Sequence, residues 1–232
     1  MAAGTPIALG QADVLAARAG YPHPMERSPR LIDVSAPTRP EGVVLVLHGG
    51  ANRPGNPMVS PAQLSVVRMI PVARRIAVAG RRRLGVFRLL NTHRGWDSTH
   101  TPVHDVEWAL HHLEDRYGAR VPACLVGHSL GGRAALLAGA APAVRSVVAL
   151  NPWVYPTDHA DLTGRRVLVV HGTDDRVASL SRAATVARWL AETGAEVSFE
   201  TVEGGRHAML RHRSAFERPA AAFAVETLLG AT

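Results

Sequence analysis

The clearest chemical content lies in Gly127-His128-Ser129-Leu130-Gly131, a G-x-S-x-G string placed where an apolar run, Ala123 to Val126, passes straight into a helical pattern, Leu130 to Gly139. A strand-to-helix turn of that form strains the backbone of the central serine and holds its hydroxyl at the top of a sheet, over a helix N-terminus. Glycines on both flanks remove side chains that would collide, and Gly132 extends the small-residue run. Capping of a helix by serine alone would not require Gly127, Gly131 and Gly132 together. A serine hydroxyl is a poor nucleophile near neutral pH, so it needs a base to take its proton and a third group to orient that base.

Candidates for both follow later in the chain. The run Val167 to Val170 ends in His171-Gly172-Thr173-Asp174-Asp175-Arg176-Val177. A carboxylate just past the carboxyl end of a buried strand points into the crevice where open α/β sheets keep their sites. Asp174 and Asp175 compete for the role, and spacing alone does not choose between them. Gly204-Gly205-Arg206-His207 is a glycine-rich loop ending in an imidazole, the side chain that accepts and returns a proton near neutrality.

Other chemistries are excluded by composition. All 26 basic residues are arginine, so Schiff-base chemistry, pyridoxal phosphate attachment and the lysine of a P-loop are absent. The single cysteine, Cys124, sits in an apolar run as a core residue and can form no internal disulfide. His100, His104, His111 and His112 carry no H-E-x-x-H pattern, so no metal and no other cofactor is expected. The formal charge of +7 comes from scattered arginines, and the densest cluster, Arg74, Arg75, Arg81, Arg82 and Arg83, falls at the end of a predicted helix, where cations suit the dipole. No nucleic-acid partner is expected. The N-terminus lacks a secretory pattern and no apolar run reaches the ~20 residues of a membrane span, which sets the expectation of a cytoplasmic protein.

The elements that must position these residues show as short apolar runs alternating with amphipathic stretches. That is the pattern of an α/β fold with a mostly parallel central sheet and helices on both faces. The runs are Val43 to Leu47, Val86 to Leu90, Ala123 to Val126, Val147 to Leu150 and Val167 to Val170, with a weaker strand at Glu196 to Val202. Ser60, Pro61 and Gln63 have the form of a capping box opening a helix that runs to Gly80 with a kink at Pro71. Further helices are expected from Pro102 to Tyr117, from Ser181 to Thr193 and from Pro219 to Leu229. Residues 1–40 form an N-terminal arm or a short strand pair belonging to the same domain, with Leu31 to Val34 the best strand candidate. Residues 41–232 form the main domain.

These strings together resemble the α/β-hydrolase superfamily, over about Val43 to Leu229. The order serine, aspartate, histidine agrees with it. Its H-G-x-x-D string matches His171, Gly172 and Asp175, which favours Asp175 over Asp174. Its terminal glycine-loop histidine matches His207, its early H-G-G string matches His48-Gly49-Gly50, and its R-G-x loop matches Arg94-Gly95-Trp96. The resemblance implies a serine hydrolase acting on a small-molecule carboxylic ester or thioester through an acyl-enzyme. Ser129 is then the nucleophile, His207 the base and Asp175 its orienter, while Leu130 and Gly50 or Ala51 donate N–H groups to the oxyanion. Substrate contacts are expected from Ala51, His128, Trp96, Trp153, Tyr155, Met209 and Leu210, with the loop Asn52 to Val59 at one rim. Only about ten residues separate Tyr155 from the next strand, too few for a helical cap, so the chain resembles the lidless members, as a monomer or homodimer. An acyltransferase, an amidase, a cofactor-free haloperoxidase or a non-catalytic ligand-binding protein would carry much the same signature.

Overall fold

The computed structural model describes residues 28–51, 58–118 and 121–230. Among the described residues seven strands form one open sheet: β1 (Arg30–Ser35), β2 (Gly42–Leu47), β3 (Leu84–Leu90), β4 (Ala123–His128), β5 (Val144–Leu150), β6 (Arg166–Gly172) and β7 (Glu196–Val202). Their order across the sheet is β1-β3-β2-β4-β5-β6-β7, and every pairing is parallel except β1 with β3. Both faces of the inner strands are covered, so they need no polar alternation: all six residues of β2 and of β4 are buried. The two edge strands, β1 and β7, are the partly exposed ones.

Among the described residues six helices cover the sheet: α1 (Leu64–Val67), α2 (Met69–Ala79), α3 (Thr101–Tyr117), α4 (Leu130–Ala138), α5 (Leu180–Glu192) and α6 (Arg213–Leu229). Successive β2 side chains alternate between two cores. Val43, Leu45 and Leu47 pack with Val106, Leu110, Leu113, Ala134, Val186 and Leu190 on the face of α3, α4 and α5. Val44 and Val46 pack with Cys124, Val72, Ile76, Phe216 and Ala220 on the face of α2 and α6. Each fully buried Val, Leu or Phe contributes about 1.5–3 kcal/mol, and the two layers together fix the strand ends to which the site is attached.

Three local expectations are corrected. The capping box at Ser60 does not form: Ser60 Oγ accepts from the Ala62 N–H, Gln63 Nε2 donates to Ser65 Oγ, and the helix opens at Leu64 with Gln63 as its cap. The break in this helix falls at Arg68 rather than at Pro71. Proline lacks a donor and its ring opposes the carbonyl four residues earlier, so the disruption lies upstream of the proline itself. The last helix starts at Arg213, and Pro219 lies inside it. Residues 30–35 join the main sheet as an edge strand beside β3, and the expected arm before residue 28 falls outside the described residues. Residues 151–165, between β5 and β6, carry no helix or strand.

Candidate active site

The strand order reverses between β2 and β4, where open α/β sheets form a crevice at their carboxyl edge. The turn from β4 into α4 places Ser129 there. Ser129 has φ 57° and ψ −118°, a costly conformation for a residue with a Cβ, and its neighbours permit it. A Cβ on Gly127 would stand 2.1 Å from the Gly131 carbonyl oxygen, and one on Gly131 would stand 2.6 Å from that of His48. The elbow can be this tight only with glycine at both positions. The N–H of Ser129 donates to the Leu150 carbonyl at 3.0 Å, and its own carbonyl accepts from Arg133 and Trp153.

The loop after β7 brings His207 to the serine. Nε2 of His207 lies 2.9 Å from Ser129 Oγ, and Nδ1 lies 2.8 Å from Asp175 Oδ2. The Asp175 side chain is fully buried. Its other oxygen, Oδ1, accepts the Val177 and Ala178 N–H groups at 2.8 and 2.9 Å. Burial acts to raise the Asp175 pKa, but the bonds from His207, Ala178 and Val177 outweigh it and hold the carboxyl below its usual range. Because carboxylate Oδ2 only accepts, His207 Nδ1 carries the proton and Nε2 is free to take one from serine. The Asp174 side chain is exposed, and only its backbone N–H is engaged, to the Gly205 carbonyl.

Two polar groups that sequence reading did not place in this role secure the histidine loop. His128, expected at the substrate, does line the crevice, yet its Nε2 donates to the His207 carbonyl at 2.8 Å. Asn151, at the end of β5, donates from Nδ2 to the carbonyls of Arg206 and His207 at 3.2 and 3.3 Å, and its Oδ1 accepts the Gly172 N–H at 2.8 Å. An asparagine directly after the apolar run Val147 to Leu150 is the signal that could have found it. Gly172 and Gly205 touch directly, with room for no Cβ between them, so the aspartate and histidine loops are in van der Waals contact.

The glycine pair after β2 is also held. His48 Nδ1 donates to the Gly49 carbonyl at 2.6 Å, while its Nε2 accepts the Asn91 N–H at 3.2 Å. In a trans peptide the N–H points opposite the C=O, so this bond turns the Gly50 N–H away from His48. Leu130 opens α4, and the N–H of a first helical residue has no partner within its helix.

The crevice has a volume of about 620 Å³ and is lined by Ser129, His128, His207, Gly49, Gly50, Ala51 and side chains from residues 58–68, with Arg94 and Val177. Of the expected rim loop, residues 52–57 lie outside the described residues. Trp96, Trp153 and Tyr155 are placed elsewhere. They surround Arg133, whose guanidinium lies 4.0, 5.6 and 5.0 Å from their ring centroids and pairs with Asp158 at 2.6 and 2.8 Å. An arginine on the otherwise apolar, buried helix α4 must find a carboxylate, and the aromatic faces complete its cover. Met209 is buried in the core against α6, and Leu210 is exposed outside the crevice.

Of the three buried histidines whose pKa burial lowers, His48, His128 and His171, the first two make stability depend most on pH. Burial lowers the pKa of His48 to about 4 and that of His128 to about 3. The unfolded chain protonates both near 6.5, so it binds more protons than the folded protein below that pH. Their contribution is complete above pH 6.5 and is lost as pH falls, toward 4 for His48 and toward 3 for His128, on the order of 3 kcal/mol for His48 alone. Thermal melts between pH 7 and 4.5 are expected to show a steady fall in Tm, and a His48→Gln variant a shallower one.

No family model matches the sequence, and no curated protein matches it. Solved structures do. XC6422 from Xanthomonas campestris, an a/b serine hydrolase without lid, superposes with a TM-score of 0.62 over 88% of this chain and 97% of that one, at 17% identity. An acetyl ester-xyloside bifunctional hydrolase from Caldicellulosiruptor lactoaceticus gives 0.65 over 88% and 89%, at 15% identity. Est1E from Butyrivibrio proteoclasticus gives 0.62 over 86% and 93%, at 14% identity. At these identities the likeness concerns architecture: the chain has the α/β-hydrolase fold.

Proposed function

We propose that this protein is a serine hydrolase that cleaves a small carboxylic ester or thioester through an acyl-enzyme. The observation that carries the reading is the unbroken chain from Ser129 Oγ through His207 to buried Asp175, opening into one crevice. His207 Nε2 takes the serine proton as Oγ attacks the acyl carbon. The resulting oxyanion is held by the N–H groups of Leu130 and Gly50. Collapse expels the alcohol or thiol, which receives the proton from Nε2. Water then enters, loses a proton to the same nitrogen and attacks the acyl carbon, and Ser129 leaves with that proton restored. No cofactor enters these steps, and residues 41–232 hold every group they use. The cytoplasm is the compartment proposed for it.

A fluorophosphonate probe tests the proposal. It is expected to label the protein at Ser129, to fail with Ser129→Ala, and to be displaced by esters or thioesters of preferred chain length. An unlabelled wild-type protein would overturn it.

The fixed Gly49–Gly50 peptide gives His48 a positioning role. Removing one oxyanion donor costs about 10²–10³ in kcat, and loss of its anchor is a milder version of that defect. His48→Ala is expected to lower kcat roughly 10- to 100-fold with little change in KM. A change confined to KM would move His48 out of the oxyanion apparatus.

A further inference from the structure

With no lysine in the chain, every side-chain cation of fixed charge is a guanidinium, whose planar fork matches carboxylate and phosphate oxygens. Six described arginines are matched to acids: Arg75 and Arg213 with Glu217, Arg83 with Glu41, Arg116 with Asp33, Arg133 with Asp158 and Arg166 with Glu196 and Glu226. Arg68 and Arg94 have no acidic partner among the described residues, and both line the crevice that holds Ser129. No described Asp or Glu lines it. The Nε of each of these two arginines is buried without a hydrogen-bond acceptor, as is Arg165 Nε outside the crevice, and Gln63 Oε1, which also lines the crevice, is buried without a donor.

Both guanidinium groups are carried by constrained backbone. Arg68 sits at the break between α1 and α2. Arg94 follows β3 in a turn clamped by Asp105 of α3, which accepts the Thr92 N–H at 2.8 Å and its hydroxyl at 2.7 Å. Met58 bridges to His93 on one side of that turn, and Gly95 packs against Gly50 on the other. Burial lowers the Arg68 pKa with no carboxylate to offset it, and its charge reaches the nucleophile's end of the crevice, where it helps keep His128 neutral. Unpaired, partly buried cations are costly to hold, and here two share one substrate-sized space. Met58, Leu64 and Val177 line the same space and are exposed, so an apolar segment fits alongside the charge.

We infer that the crevice selects esters or thioesters bearing a carboxylate or phosphate, bound by Arg68 and Arg94 while Ser129 attacks the acyl carbon. This rests on the hydrolase reading and names its substrate class. Charge-assisted bonds of this kind are worth roughly 10- to 100-fold in kcat/KM.

Two matched pairs test it and separate the sources of the anion. 4-Nitrophenyl hemiadipate against 4-nitrophenyl methyl adipate places the charge on the acyl half. 4-Acetoxybenzoate against its methyl ester places it on the leaving group. In one pair, wild-type kcat/KM at low salt is expected to favour the anion by roughly that factor, with the preference shrinking as ionic strength rises. The ratio is expected to fall toward one in Arg68→Gln and Arg94→Gln, to recover in part with Arg68→Lys, and to hold in Arg145→Gln, a control for net charge on an exposed β5 side chain. Wild-type ratios at or below one in both pairs would overturn the inference, whether or not the variants fold. Calorimetry on Ser129→Ala gives the same comparison without turnover: tighter binding of the hemiadipate supports the anion site and equal binding removes it. Failure of the hydrolase reading looks different, with no turnover of any of the four esters and no fluorophosphonate labelling while the binding difference persists.

Discussion

Ser129→Ala and His207→Ala are each expected to cut ester turnover by about 10⁵- to 10⁶-fold, and the double variant to be no worse than either. The hydroxyl is reactive only while Nε2 accepts its proton, and Nε2 has nothing to accept once the hydroxyl is gone. The two side chains therefore act as one unit across 2.9 Å. Residual rate then comes from the backbone donors and from binding, which neither substitution touches. The Ser129 side chain makes no capping hydrogen bond to α4, so its removal should leave the melting temperature close to wild type. Steady-state kinetics on one ester across the four proteins is the measurement. Losses that multiply in the double variant would mean that the two residues act in separate steps.

Much of this arrangement is legible in the sequence because the inner strands are buried on both faces and stand out as continuous apolar runs. Their carboxyl ends then locate Ser129, the aspartate turn and the loop after β2. What periodicity cannot read is which polar groups are consumed internally. Trp96, Trp153 and Tyr155 look like pocket aromatics by their position on loops, yet all three close over Arg133 and Asp158. The clue was an arginine within LGGRAALLA, a helix with hardly an exposed side chain. Pro219 looked like a helix start because proline suits the first turn. The helix instead begins at Arg213, and Arg213 pairs with Glu217 one turn on. His128 and Asn151 escaped for a related reason. Their partners are the backbone carbonyls of residues 206 and 207, brought near only by the crossing from β4 through β5 to the loop after β7.

The two adjacent aspartates show where geometry adds what spacing leaves open. Asp175→Asn is expected to lower turnover about 10⁴-fold, and Asp174→Asn by no more than a few-fold. Asp175 Oδ1 accepts two N–H groups from the Val177–Ala178 turn, so an asparagine there keeps its carbonyl oxygen on that side. Its amide NH₂ then faces His207 Nδ1. An NH₂ only donates, so Nδ1 must give up its proton and become the acceptor, and the ring's remaining proton moves to Nε2. Nε2 so occupied cannot take a proton from Ser129, although every heavy atom stays in place. Asp174 contributes its backbone N–H to Gly205 and turns its carboxylate to solvent, and neither function needs a charge. Kinetics on both variants, with the imidazole N–H resonances of His207 as a direct view of the tautomer, separates the residues. Equal or reversed losses would assign the orienting role away from Asp175.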